Sequence, residues 1–146
     1  MRIALGSDHA GFEQKNRLVE ELTRDGYDVI DVGCADGVGS VDYPNYAVAA
    51  SRHVTDGTAD RAILVCGTGI GMAMTANKLP GIRAANATTP QFAQLARQHN
   101  DANVLTLSGR FVDAATNSAI AHTFLSTDYE GARHQQRLDK IAELEH

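Results

Sequence analysis

Short apolar runs alternate with segments of helical periodicity along the chain. The run at residues 2–7 is followed by apolar positions at helical spacing from Phe12 to Leu22, and Gly26 ends that segment. Residues 61–66 form another run, rich in branched apolar residues without polar alternation, which is typical of a strand buried on both faces. The pattern predicts a strand, a turn and a helix as the repeating unit.

This unit recurs along the sequence. We predict strands at about residues 2–7, 28–33, 61–66, 82–86 and 103–107. We predict helices at about residues 12–25, 43–55, 72–78, 90–98, 112–125 and 129–144. Such alternation predicts the α/β class: a three-layer α/β/α sandwich with a five-stranded, mostly parallel, Rossmann-like sheet and an extra C-terminal helix. If the strand order is 2-1-3-4-5, the first and third strands flank the ligand-binding crevice at their carboxyl ends.

Length and charge narrow the function classes. We expect the 146 residues, 1–146, to form one domain, since domains usually have about 100 to 200 residues. Thirteen Lys and Arg against 18 Asp and Glu give a net charge of −5 with no basic tract, so we expect no nucleic-acid partner. No apolar stretch reaches the roughly 18 residues of a membrane span and no signal peptide is evident, so we expect a cytoplasmic protein without a membrane partner.

Three glycines after the third predicted strand form the most informative stretch. Gly67, Gly69 and Gly71 lie where a strand leads into a helix, so their loop would expose unpaired N–H groups that favour an anion. The dinucleotide fingerprint and the P-loop both need glycine at position 72, which is Met72. The alternative is that the glycines serve only a tight turn.

Cys66 ends the same strand and is a candidate base or nucleophile. A thiol at the N-terminus of a helix is more easily ionised than a free one. The alternative is a packed core cysteine. Cys34 lies in a polar loop without this context, and in a reducing compartment both cysteines remain thiols.

Other polar groups have a functional and a plain structural interpretation. Asp8 and His9 follow the first strand as a possible ligand pair, although Asp8 could simply cap the next helix. Arg133 and Arg137 are four residues apart, a spacing that suits a shared anion or a solvated face. The six histidines show no metal-ligand spacing, so we expect neither a metal nor any other cofactor.

Several blocks of the sequence, in order, resemble type B ribose-5-phosphate isomerases and their galactose- and allose-6-phosphate relatives. The blocks are GSDHAGF at 6–12, DYPNYA at 42–47, CGTGIG at 66–71, NK at 77–78 with GIRA at 81–84, RQHNDANVL at 97–105 and YEGARHQQR at 129–137. The resemblance runs nearly end to end. It implies metal-independent interconversion of ribose 5-phosphate and ribulose 5-phosphate through an enediolate, in the pentose phosphate pathway.

The resemblance also implies roles for individual residues. Cys66 would be the base, Thr68 would assist at the enediolate oxygens, and His99 would be the ring-opening acid. The N–H groups of Gly67, Thr68, Gly69, Ile70 and Gly71 would form the hole for those oxygens. Other substrate contacts would come from Asp8, His9, Tyr43, Asn100, Arg110, Arg133 and Arg137, with His9 and the three arginines on the phosphate. Some relatives use a glutamate elsewhere as base, so Cys66 places the chain with the thiol branch and argues against the galactose-6-phosphate subunit type without the thiol.

The order of the elements adds an inference about assembly. His99 precedes the fifth strand and so lies toward the amino end of the sheet, opposite Cys66. We therefore predict a homodimer whose active sites are shared between subunits, with a tetramer as the alternative assembly. The alternatives are another sugar phosphate as substrate, a tetrose 4-phosphate included, or a non-catalytic module that binds a phosphorylated ligand. A receiver-like signalling domain is disfavoured, because Cys66 stands where it would need a phospho-acceptor aspartate.

Overall fold

The computed structural model describes residues 1–145, and His146 lies outside the described residues. Within this range strands and helices alternate as the pattern predicts. The strands are β1 (Arg2–Ser7), β2 (Asp28–Asp31), β3 (Arg61–Cys66), β4 (Ala84–Asn86) and β5 (Val104–Ser108). The helices are α1 (Phe12–Arg24), α2 (Tyr43–Thr55), α3 (Ile70–Ala76), α4 (Pro90–Asn100), α5 (Ala114–Ser126) and α6 (Gln135–Ala142).

The five strands form one parallel sheet in the order β2-β1-β3-β5-β4. The order 2-1-3-4-5 is therefore wrong, because β5 lies between β3 and β4. The reason is burial. All five residues of β5 are buried, which suits an interior strand, whereas the three residues of β4 are partly or fully exposed, which suits an edge. This order puts the carboxyl end of β5 beside Cys66.

Helices cover both faces of the sheet and make two separate cores. On one face, α1, α4 and α5 pack against alternate strand residues such as Ile3, Ile63 and Leu105. On the other face, α2 and α3 pack against intervening residues such as Ala4 and Leu64. The strands are apolar toward both faces, which explains their lack of polar alternation and confirms the three-layer α/β/α prediction.

The C-terminal segment differs from its prediction as one helix over 129–144. A 3₁₀ turn at Ala132–His134 precedes α6, and α6 ends at Ala142. Gly131 and Ala132 have φ angles of 69° and 52°, in the left-handed region that a right-handed helix cannot contain. Arg133 is therefore in the 3₁₀ turn and only Arg137 is in α6.

Close backbone contacts hold the carboxyl ends of three strands together. A Cβ atom on Gly11, after β1, would lie 2.3 Å from the carbonyl oxygen of Val65 in β3. A Cβ atom on Gly109, after β5, would lie 2.9 Å from the carbonyl oxygen of Ala10. Only glycine allows these approaches, so the turns after β1, β3 and β5 form one continuous surface. Among the described helices, none is long and apolar enough to cross a membrane.

Candidate functional site

The thiol of Cys66 lies at the point where β3 turns toward α3. Cys66 is 5% exposed as a residue, and its Sγ accepts a hydrogen bond from the N–H of Gly69 at 3.1 Å. The turn requires Gly69 to have a φ of 84°, which glycine adopts without strain. Cys66 thus packs against the apolar core under α2 and α3 while its sulfur faces a backbone donor.

The glycine loop already uses part of its hydrogen-bonding capacity. Besides the Gly69 N–H on the thiol, the N–H of Ile70 donates to Oγ1 of Thr68 at 3.1 Å. The next N–H groups, of Gly71 and Met72, lie in the first turn of α3, where a helix provides no acceptor. The N–H groups of Gly71 and Met72 are therefore better placed to bind an anion above the loop than those of Gly69 and Ile70.

Three side chains from other elements border the loop. The Tyr43 ring at the start of α2 lies against Gly71, where a Cβ atom would be 2.5 Å from it. The Arg110 side chain, after β5, lies beside Gly67, where a Cβ atom would be 3.4 Å from it. Asn86, at the end of β4, lies against Gly69, 2.5 Å from a Cβ atom placed there. The structure thus places the predicted site residues Tyr43 and Arg110 at the loop, together with Asn86, which was not among them.

Asp8 lies beside this loop at the end of β1. Its backbone N–H donates to the carbonyl oxygen of Val65 at 3.3 Å, which joins it to the residue before Cys66. Its side chain is buried, and Oδ1 accepts a hydrogen bond from the N–H of Gly11 at 3.0 Å. Asp8 thus holds the turn before α1 without capping the helix itself, since the N-cap Gly11 has no side-chain cap, and it does so next to the thiol.

His9 and Arg110 share a cavity of about 680 Å³ that also includes Arg17. Nδ1 of His9 accepts a hydrogen bond from the N–H of Val41 at 3.2 Å. A neutral His9 therefore carries its proton on Nε2, which can donate to an anion. Arg17, an exposed residue of α1, adds a cationic group to this cavity that the sequence motifs did not indicate.

The other predicted site residues form a second group at the end of α4. His99 is in the last turn of α4, and its ring stacks on that of His134 with centroids 4.4 Å apart and an 18° angle between planes. Arg133 and Arg137 are exposed on either side of His134 along the chain. The exposed Asn100 lines a separate groove between α4 and α6.

The two groups lie at opposite ends of the strands: the first at their carboxyl ends and the second toward their amino ends. Two residues after His99, Asp101 accepts hydrogen bonds from Arg83 and Arg97 and lines a cavity with Arg61, the first residue of β3. Cys66 is the last residue of β3, about 16 Å from Arg61 at 3.3 Å per residue. One chain therefore does not bring His99 to the thiol.

The second group contains two residues that were not among the predicted site residues. His134 is buried, and its Nε2 lies 3.4 Å from Oε2 of Glu130. The donor atoms of His99, Glu130 and His134 all lie within 4.8 Å of one another, a cluster that could hold a metal ion. Histidine spacing alone cannot reveal this cluster, because His99 comes from a different helix.

The sequence matches a known family over nearly its whole length. The family model described as Ribose/Galactose Isomerase matches residues 3–141. The ribose-5-phosphate isomerase B of Escherichia coli (strain K12) is 44% identical over 144 residues, covering 99% of this chain and 96% of that protein. The ribose-5-phosphate isomerase B of Mycobacterium tuberculosis (strain H37Rv) is 40% identical over 146 residues, covering 99% and 90%.

Solved structures agree with this match. The ribose-5-phosphate isomerase B of Clostridium thermocellum superimposes with a TM-score of 0.97 at 42% identity, covering 99% of this chain and 97% of that one. The Mycoplasma genitalium enzyme, crystallised with bound ribulose-5-phosphate, gives a TM-score of 0.94 at 41% identity, covering 97% and 94%. The similarity therefore extends over sequence and fold alike.

Proposed function

The chain belongs to the ribose/galactose isomerase family and is an isomerase, and from this premise we propose that it interconverts ribose 5-phosphate and ribulose 5-phosphate. The observation that carries the proposal is the position of Cys66. Its thiol is held against the Gly69 N–H at the strand ends, with Asp8 and Arg110 on neighbouring strand ends. A proton-transfer reaction on an anionic substrate needs this combination of base, polar ligand and cation.

The chemistry follows from the thiolate. In the open-chain aldose, Sγ of Cys66 takes the C2 proton, and the electron pair of that C–H bond forms the C1–C2 double bond while O1 becomes negative. Returning the proton to C1 and moving the O2 proton to O1 gives the ketose. The free N–H groups of Gly71 and Met72 and the Thr68 hydroxyl are the donors nearest to the developing charge, and one such donor contributes typically about 10²- to 10³-fold in rate.

The sugar enters as a ring, and its opening requires an acid. His99 serves as that acid: it protonates the ring oxygen as the bond from C1 to that oxygen breaks, and the O1 proton passes to solvent water. Within one chain, His99 lies toward the amino ends of the strands and Cys66 lies at their carboxyl ends. His99 therefore acts in the active site of a second subunit. Exposed apolar side chains near the thiol loop support such a contact, namely Ile70, Met74 and Phe111.

The phosphate contacts divide between the subunits in the same way. His9 and Arg110, which share a cavity, come from the subunit that provides Cys66. Arg133 and Arg137 come with His99 from the other subunit. Arginine binds phosphate through paired, charge-assisted hydrogen bonds, so the substrate itself joins the two halves of each site.

A coupled assay with purified protein and chelator tests the reaction. We expect rapid conversion of ribose 5-phosphate that Cys66→Ala abolishes while phosphate-sugar binding remains. The matched control is Cys34→Ala. Conversion of only allose 6-phosphate, galactose 6-phosphate or a tetrose 4-phosphate would replace the substrate and keep the mechanism. Binding of all these sugars without turnover would favour a phosphorylated-ligand binding module instead.

Mixed dimers test the shared site. Cys66→Ala and His99→Ala are each expected to be inactive. After subunit exchange in equal amounts, about a quarter of wild-type activity should return, because half of the dimers are mixed and each holds one intact site. The absence of recovery, with exchange confirmed by differently tagged subunits, would exclude the shared site.

A further inference from the structure

Three side chains next to the proposed acid form a compact set of metal-binding atoms. Donor atoms of His99, Glu130 and His134 lie within 4.8 Å of one another. They come from α4, the irregular segment after α5 and the 3₁₀ turn, and the backbone N–H of Glu130 donates to the carbonyl oxygen of Gln98 at 3.0 Å. The cluster therefore depends on the packing of the C-terminal segment against the end of α4.

His134 provides a second, independent observation. His134 is 6% exposed as a residue, and its buried Nε2 has no hydrogen-bond partner among residues 1–145. The nearby Glu130 carboxylate, at 3.4 Å, does not form a hydrogen bond with it, although it lies within ion-pair distance. Buried polar atoms nearly always have a partner, so Nε2 indicates a ligand at this position.

The donor set selects the kind of ligand. Two imidazoles and one carboxylate suit Zn²⁺ and similar transition-metal ions, whereas Ca²⁺ and Mg²⁺ prefer oxygen donors alone. Two donors of a tetrahedral zinc ion at about 2.0 to 2.1 Å are about 3.4 Å apart, so the most distant donors must close by up to about 1.4 Å. Stacked rings cannot both direct a nitrogen lone pair at one ion, so binding requires the partly buried His99 ring to turn out of its stack on the buried His134 ring. The Glu130 side chain is 49% exposed and is free to move toward the two nitrogens.

We propose that His99, Glu130 and His134 bind one divalent transition-metal ion, best matched by Zn²⁺, and that the bound ion inhibits the isomerase. Inhibition rests on the proposed function, because the ion takes the ring nitrogen that His99 needs as the ring-opening acid. Binding itself does not depend on that function. The neighbouring Arg133 and Arg137 are exposed, which leaves their charges hydrated and reduces their repulsion of the ion.

Direct binding of Zn²⁺ to the full-length protein is the first test. Competition with a chromophoric chelator should show one ion per chain for the wild type. Glu130→Gln and His134→Gln should each weaken the affinity at least about tenfold. His53→Gln is the matched control, since His53 bonds only to Thr58 among the described side chains. Equal affinity in all four proteins would overturn the site.

A zinc ion could instead inhibit through the Cys66 thiolate, and a second measurement separates the two sites. Cys66→Ala should keep the zinc affinity of the wild type, and loss of binding in that variant would overturn the proposal. Zinc should inhibit turnover reversibly, and the inhibitory concentration should rise at least about tenfold in Glu130→Gln, each variant being compared with its own activity in chelator. Zinc binding without any isomerase activity would leave the site intact and refute the proposed function alone.

Discussion

The ammonium group of Lys15, whose side chain is 2% exposed, lies 2.8 and 3.1 Å from the two carboxylate oxygens of Asp31 at the end of β2. The same nitrogen donates to the carbonyl oxygen of Cys34 at 3.3 Å. Lys15 thereby ties α1 to the loop after β2. That loop leads to Val41, which in turn orients His9. A buried charge remote from the thiol thus supports the proposed phosphate site.

The two partners of this pair should differ in what their removal costs. Asp31→Ala leaves a buried ammonium without its carboxylate and should destabilise the fold by about 3 to 5 kcal/mol. Lys15→Met leaves only a carboxylate that is 39% exposed and hydrated, so it should cost less than about 1.5 kcal/mol. Urea unfolding at equal protein concentrations measures both. A larger loss for Lys15→Met would show that the ammonium is not the poorly hydrated partner.

Cys66→Ser tests the base with a minimal change in shape. A serine hydroxyl is a far weaker base than a thiolate, so kcat should fall by about 10²- to 10⁴-fold while KM changes little. Cys34→Ser is the matched control, because that thiol donates to the carbonyl oxygen of Asp36 and a hydroxyl can do the same. Steady-state kinetics of both variants decide the matter, and a fully active Cys66→Ser would rule out the thiol as base.

Gly69 and Gly67 should respond differently to alanine. At Gly69 a Cβ atom would lie 2.5 Å from Oδ1 of Asn86 and 3.0 Å from the carbonyl oxygen of Leu107, with φ at 84°. We expect a loss of at least about 1 kcal/mol of stability and displacement of the N–H group from Cys66. At Gly67 the nearest neighbour is the flexible Arg110 side chain at 3.4 Å, so Gly67→Ala should fold normally. Thermal unfolding and activity assays of both variants provide the comparison.

Asp113 should make the stability of α5 dependent on pH. Its carboxylate accepts hydrogen bonds from the N–H and hydroxyl of Thr116 at 2.8 and 3.0 Å, and these bonds hold its pKa below the ordinary value. A lowered pKa in the folded state stabilises the protein above the ordinary value of the unfolded chain. That contribution is lost as the pH falls through the lower value.

The measurement is the difference in Tm between wild type and Asp113→Asn. Asparagine also caps helices, so the wild-type advantage should be present at pH 6 and shrink below about pH 4. Thr89→Ala is the control, because Oγ1 of Thr89 caps α4 by accepting the Phe92 N–H without a titratable group. Its effect on Tm should not vary over this range. A constant Asp113→Asn difference would show that the charge of Asp113 does not stabilise the cap.

Local patterns were sufficient for much of the fold. The runs at residues 2–7 and 61–66 coincide with β1 and β3, and α2 extends from Tyr43 to Thr55 as predicted. Apolar periodicity identifies such elements because burial on a regular backbone repeats at a fixed spacing. The prediction of one helix over residues 129–144 was wrong, because Gly131 and Ala132 have positive φ angles that hydrophobic periodicity does not reveal.

The sequence by itself determined the βα alternation, the family resemblance and the position of Cys66 before a glycine loop. These are properties of neighbours along the chain. The tertiary structure decided that β5 lies beside β3, which brings Arg110 to Gly67. It also decided that His99 stacks on His134, toward the amino ends of the strands. Strand order and inter-helix contacts depend on the total apolar area that the whole molecule buries. That area cannot be read from a short stretch of residues.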